Sequence, residues 1–200
     1  RTGADVPPEK REALNKAHAK FLQRRLRMEI PWVTCRFPCP ALAQEAGLTN
    51  EAFEDFLFGA VLLDWDAEGE KMKRIKDRFD QADEVRIVGA ETELRFSLVG
   101  REGEVDDGHA NMPGGEVFYS PVEESTEGTV SFIEYPAYQE PDLVDNVRMR
   151  YEGGKVVEAS ATSNEEALFA KLDRDEGARI LGEYGIGCNP GIQRYMKNTL

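Results

Sequence analysis

Val85-Arg86-Ile87-Val88-Gly89-Ala90-Glu91-Thr92-Glu93-Leu94-Arg95-Phe96-Ser97-Leu98 is the stretch on which the architecture of this chain turns. Val85 and Ile87, then Leu94, Phe96 and Leu98, alternate with polar neighbours on either side of a Gly89 to Thr92 turn, the period of half-buried strands. Upstream of Val85 the apolar residues recur at three and four positions instead, the period of helices. The expectation is an α+β chain, mostly helical over residues 1–84 and β-rich over residues 85–200.

Working back from Val85, Met72, Ile75 and Phe79 carry a helical pattern to about Gln81, and Phe53, Phe56, Leu57, Ala60 and Val61 form one apolar face behind a cap at Thr49 or Asn50. Ala41 to Ala46 reads as a short helix stopped by Gly47, and Trp32 to Phe37 as a short strand opened by Pro31 and ended by Pro38. Pro7-Pro8-Glu9 opens an amphipathic helix through Leu14, Ala17, Phe21, Leu22 and Met28. Strand following helix suggests the end of a layered α/β unit.

Working forward, Val117 to Tyr119, Thr129 to Ile133, Val147 to Tyr151 and Lys155 to Ala161 read as strands, with Gly153-Gly154 a two-residue hairpin turn between the last two. Ser163-Asn164-Glu165-Glu166 has the form of a capping box for a helix through Ala167, Leu168 and Leu172. Ile180, Gly182, Tyr184 and Ile186 alternate as a strand, placing Glu183 on one of its faces. Arg1 is not a methionine and Tyr195 to Thr199 closes no element, so an internal piece of a longer protein, incomplete at both ends, is expected.

Composition narrows the function classes. A formal net charge of -13 over 200 residues argues against a nucleic-acid partner, because Lys and Arg cluster only between Lys10 and Arg27. Excess acid fits a soluble surface or a site that draws cations and protonated amines. No signal peptide or long apolar span is evident, so no membrane partner is expected. Cys35, Cys39 and Cys188 suit a reducing cytoplasm as buried thiols, since no second Cys or His pair completes a zinc knuckle.

Candidate chemistry rests on two glutamates. Asn111-Met112-Pro113-Gly114-Gly115-Glu116-Val117-Phe118 brings a glycine-rich approach to one carboxylate, and Gly177-Ala178-Arg179-Ile180-Leu181-Gly182-Glu183-Tyr184-Gly185 repeats a glutamate beside glycine. A carboxylate among glycines can be reached by a metal ion or a substrate backbone. Taken alone, each glutamate reads as a solvated or hairpin-supporting residue and its glycines as turn geometry. His18 on the basic helix and His109 in the loop Asp106-Asp107-Gly108-His109 support no nucleophilic triad, and Asp106-Asp107-Gly108 reads as a turn without the spacing of a calcium loop.

The words around those glutamates go further. Asn111 to Phe118, then Pro121-Val122-Glu123 and Glu127-Gly128, resemble the metal-site segment of the M29 metallopeptidases, the aminopeptidase T and aminopeptidase S family. Leu172-Asp173, Asp175-Glu176-Gly177-Ala178-Arg179, Leu181-Gly182-Glu183, Gly187, Asn189 and Gly191-Ile192 look like a later segment of the same family, and Pro40 to Gly47 with Leu63-Asp64-Trp65-Asp66 resemble stretches upstream. The resemblance implies a cytoplasmic aminopeptidase that acts on peptides with a free amino terminus. It implies two divalent metal ions, zinc or cobalt, with magnesium an alternative. It also implies a homodimer whose subunits join an α/β amino-terminal domain, here ending near residue 84, to a metal-binding domain, here beginning at Val85.

Glu116 and Glu183 match two of the family's metal ligands. The resemblance also implies two histidines, an aspartate and a site tyrosine, and neither His18 nor His109 matches them. Two carboxylates without imidazole partners bind zinc weakly, so the chain by itself is expected to be inactive. The rival readings are a non-catalytic β-rich binding or dimerisation module, and a calcium- or magnesium-stabilised structural domain using Glu123 to Glu127.

Overall fold

Asp64 decides how the helical part divides. Its Oδ1 accepts the Ala67 N–H at 3.1 Å and starts a new helix, so the single pattern expected through Gln81 is two helices, α3 (Asn50–Val61) and α4 (Trp65–Phe79). Those helices, and all that follows, come from a computed structural model that describes residues 8–139 and 142–196; Pro7 and the Lys197 to Leu200 tail lie outside them. Earlier in the chain come α1 (Pro8–Leu26), β1 (Thr34–Cys35) and α2 (Pro40–Ala46). Gly47 closes α2 in the left-handed conformation at φ 70°, and Thr49 caps α3 by accepting the Ala52 N–H at 3.2 Å.

α1 corrects its expectation. It stops at Leu26, two residues short of Met28, whose φ of 54° is left-handed, and Leu14, Phe21, Leu22 and Leu26 stay 44–65% exposed. The apolar positions set the helix period, but no described element covers them.

The strands are β2 (Glu84–Gly89), β3 (Thr92–Ser97), β4 (Glu104–Asp106), β5 (Asn111–Met112), β6 (Glu116–Tyr119) and β7 (Glu127–Phe132), then β8 (Ala137–Gln139), β9 (Asp142–Val144), β10 (Val147–Glu152) and β11 (Lys155–Ser160). Helix α5 (Glu165–Leu172) and strand β12 (Tyr184–Gly187) follow. One antiparallel sheet runs β11-β10-β7-β3-β2, with Val85 opposite Phe96 and Ile87 opposite Leu94, the pairing that the alternation predicts. A second runs β12-β6-β4, while β1 pairs parallel with β5 and β8 antiparallel with β9.

Two local expectations yield to tertiary bonds. Ser163 donates its hydroxyl to Asp145 Oδ2 at 2.7 Å, Glu165 accepts from Ala161 N, and Asn164 caps α5 at φ 52° while its amide donates to Leu143 O, so no capping box forms. The strand expected from Ile180 shrinks to β12, with Ile180 making an isolated bridge to Lys155 and Glu183 falling just before the strand. At Gly153-Gly154 both φ angles are positive and a Cβ on Gly154 would stand 1.9 Å from Glu123 O. Gly154→Ala is therefore expected to cost more than about 1 kcal/mol in urea unfolding.

α4 packs on β4 and β6, putting Met72, Ile75 and Phe79 into the larger core with Leu94, Phe96, Val117 and Tyr119. A smaller core joins Ala43, Ala46, Phe53 and Leu57 to Met196. Tyr119 locks α4 to β6: its hydroxyl donates to Asp80 Oδ1 at 2.9 Å and lies 3.1 Å from Lys76 O, and its ring meets Phe79. Burial alone would raise the Asp80 pKa, but hydrogen bonds from Lys76, the Gly103 N–H and Tyr119 hold it below the usual aspartate value. A depressed carboxyl contributes stability that is full above its unfolded pKa and is lost as pH falls through the folded one. Asp80→Asn is expected to flatten the acid limb of a stability-against-pH curve, read by urea unfolding between neutral pH and the aspartate range.

The cysteines are all free, and the buried-thiol expectation is corrected: Cys35 is exposed, while Cys39 and Cys188 are half-buried. β1 carries Cys35 on a two-residue ladder that covers neither of its residues.

Candidate metal centre

Glu116 opens β6, the middle strand of the three-stranded sheet, facing Asp106 on β4 and Gly187 on β12. Residues opposite one another in an antiparallel pair share a face, so the Asp106 and Glu116 carboxylates rise from the same side of the sheet. On β12 that side is bare at Gly185 and Gly187, and a Cβ on Gly185 would stand 3.1 Å from Glu116 Oε2. The glutamate thus lies across β12 in room that a side chain there would fill.

Glu183 sits at the approach to the same strand, exposed. Burial raises the Glu116 pKa above the ordinary glutamate value, and the charges of Glu183 and then Asp106 push it further the same way. The charge of Glu183 thus acts on Glu116 in the folded chain, and Asp106 faces Glu116 from β4.

The glycines serve close backbone approach as well as access. Gly115 has φ 111°, donates its N–H to Asp106 O at 2.7 Å and accepts from Cys188 N at 2.7 Å, and a Cβ there would fall 2.6 Å from that of Asn189. Asn189 clamps three segments: its amide donates to Gly114 O at 2.9 Å and Ala60 O at 3.0 Å, and its Oδ1 accepts the Gly191 N–H at 2.8 Å. Gly115→Ala is expected to cost about 1–3 kcal/mol in urea unfolding, because both the left-handed backbone and the contact must give.

The other sequence candidates lie apart. His109 has an 82% exposed side chain and an Nδ1 contact to Asp107 Oδ1 at 2.6 Å, which raises its pKa; His18 is exposed on α1. Glu123 pairs with Arg101 at 2.5 Å and Glu127 accepts the Gly153 N–H at 2.7 Å, so these acids brace loops. Asp106, expected in a turn, is the last residue of β4 and only 8% exposed. A three-residue strand is too short for its period to declare itself; the charged-apolar-charged order Glu104-Val105-Asp106 was the one available signal.

Hard carboxylate oxygens over a glycine-bared face, with the buried Asp106 Oδ1 lacking any partner, fit a divalent cation as part of its shell. Among the described residues no group of three or more His, Cys, Asp or Glu converges to hold a metal ion by itself. No described helix is long and apolar enough to cross a membrane.

Comparison with known proteins gives a consistent picture. Aminopeptidase 2 of Geobacillus stearothermophilus is 26% identical across 91% of this chain and 51% of its own length. Aminopeptidase T of Thermus aquaticus is 43% identical over 76 residues, 38% of this chain and 18% of that protein. The structure of wild-type AmpT from Thermus thermophilus superposes with a TM-score of 0.67 at 28% identity, covering 92% of this chain and 52% of that one. A 2,5-dihydroxypyridine dioxygenase from Pseudomonas putida KT2440 shares the fold alone, with a TM-score of 0.63 at 15% identity over 88% of this chain and 56% of its own. The chain thus spans about half the length of the relatives it matches along most of its course. The model of the thermophilic metalloprotease (M29) family matches residues 3–200, and the chain belongs to that family.

Proposed function

We propose that the protein containing this chain is a metallo-aminopeptidase that removes residues from the free amino terminus of peptides, and that Glu116 and Glu183 are ligands of its metal centre. The reading is supported by a half-buried Glu116 lying over the glycine-bared β12, where the charge of Glu183, 67 positions on in sequence, acts on it, in a chain of a metalloprotease family. The centre is read as dinuclear, with zinc or cobalt, or else magnesium, on a cytoplasmic homodimer that has neither nucleic-acid nor membrane partners. The division near Val85 into an α/β amino-terminal part and a metal-binding part is likewise our reading, with α4 packed against the second part.

A bound divalent metal pair supplies a water-derived nucleophile at neutral pH and polarises the scissile carbonyl. The chain's own residues contribute position and charge. Glu116 lies across β12 in room that the missing side chain of Gly185 leaves open, so a ligand can reach its carboxylate. Clustered negative charge at Glu116, Glu183 and Asp106 favours the α-ammonium of a peptide terminus, which distinguishes removal of end residues from internal cleavage. A carboxylate of the site carries a proton to the departing amine.

The test uses full-length protein supplied with zinc or cobalt and short peptides with free or acetylated amino termini. Release of the first residue from the free peptide, abolished by chelator and by acetylation, is the expected result; no release from either sinks the reading. Because no third donor converges among the described residues, the 200-residue chain alone is expected to release nothing in the same assay.

A further inference from the structure

Asp106 carries chemistry that its structural contacts do not use. Its Oδ2 accepts the Asn111 side-chain amide at 3.1 Å and its main-chain oxygen accepts the Gly115 N–H at 2.7 Å, but its Oδ1 is buried without a partner. A buried carboxylate oxygen with no donor is costly and calls for a ligand, a water or an ion. Glu116, its cross-strand partner, is a further acid and adds negative charge rather than relieving it. Backbone approaches around Asp106 are too tight for the side chain to have arrived by slack: a Cβ on Gly114 would lie 2.7 Å from its main-chain oxygen and 3.1 Å from Oδ1.

We propose that Asp106 is a positioning residue of the cation centre, its free Oδ1 accepting a hydrogen bond from water that hydrates the cation held by Glu116 and Glu183. The inference rests on the metal-centre reading above. An outer role is favoured over direct ligation because the three carboxylates do not converge as a ligand cluster, and because Asp106 sits low against the sheet, 8% exposed, beside the half-buried Glu116. Partners of this outer kind orient the inner shell, and losing one costs about 10–100-fold in metal affinity.

The experiment titrates zinc(II) into metal-free full-length protein and follows thermal unfolding of the same metal-free samples. Asp106→Asn, which keeps the shape, is expected to weaken zinc binding about 10–100-fold while the metal-free melting temperature holds or rises. Asp107→Asn removes the same charge one residue on and is expected to leave affinity nearly unchanged. Unchanged affinity in D106N, or an equal loss in D107N, overturns the proposal; so does a lower melting temperature without an affinity change, the mark of a merely structural aspartate. If D106N does not fold, Asp106→Ser, which still offers Asn111 an acceptor, is read by the same criteria. A wild type that binds no zinc overturns the metal-centre reading itself, whereas a wild type and D106N that bind equally overturn only the role of Asp106.

Discussion

Glu116→Gln is expected to cut peptide release by the full-length protein more than about 100-fold and to remove measurable metal binding, a larger loss than substitution of an outer partner produces. Glu183→Gln is expected to do the same, as the second proposed ligand of the centre. Misfolding would give a similar assay result, and the pKa of Glu116 provides the distinction. Burial and the charges of Glu183 and Asp106 raise that pKa, so the ionised group works against the metal-free fold at neutral pH. A carboxyl with a raised folded pKa adds stability as pH falls through that pKa towards the unfolded value, where the gain is complete. Metal-free wild type should show this gain in urea unfolding and E116Q should not, while being at least as stable at neutral pH. A variant both inactive and destabilised at neutral pH would contradict the assignment.

Tyr119→Ala is expected to destabilise the chain by about 3–5 kcal/mol, the range for deleting a large buried aromatic. The ring is 1% exposed and meets Phe79 of α4, three residues along β6 from Glu116. Gly103 exists for this ring: a Cβ there would stand 2.3 Å from Tyr119 Cζ. Tyr119→Phe keeps the packing and loses only the hydroxyl, which is shared between Asp80 Oδ1 and Lys76 O, so it should cost about 1 kcal/mol. Equal losses in the two variants, measured by urea unfolding, would mean that the hydroxyl and not the ring holds α4 to the sheet.

The sequence disclosed what is periodic and local. Val85 to Leu98 declared a hairpin because alternation is a property of neighbours, and the observed register pairs the same apolar residues. Gly47, Thr49 and Gly153-Gly154 were legible for a related reason, since each backbone conformation or cap needs a particular residue in place. Bonds reaching across the fold were not legible. Ser163 looks like a helix cap until Asp145, 18 residues away, accepts its hydroxyl. Asp106 looks like a turn residue until β6 is laid beside it, and Asn189 gives no hint in one dimension that it binds Ala60, 129 positions earlier. The apolar stripe of α1 shows the opposite limit: its period predicted the helix and said nothing of what would cover it. Glu116 and Glu183 were legible as candidates only through the words around them, and the placement of Glu116 opposite Gly187 of β12 depends on register that no local pattern encodes.

The most direct test of the central claim is the position of metal in crystals of the full-length protein loaded with zinc or cobalt, read from anomalous scattering. The account predicts density in contact with the carboxylates of both Glu116 and Glu183, over Gly185 and Gly187. Metal bound elsewhere, with both glutamates facing solvent alone, would contradict it.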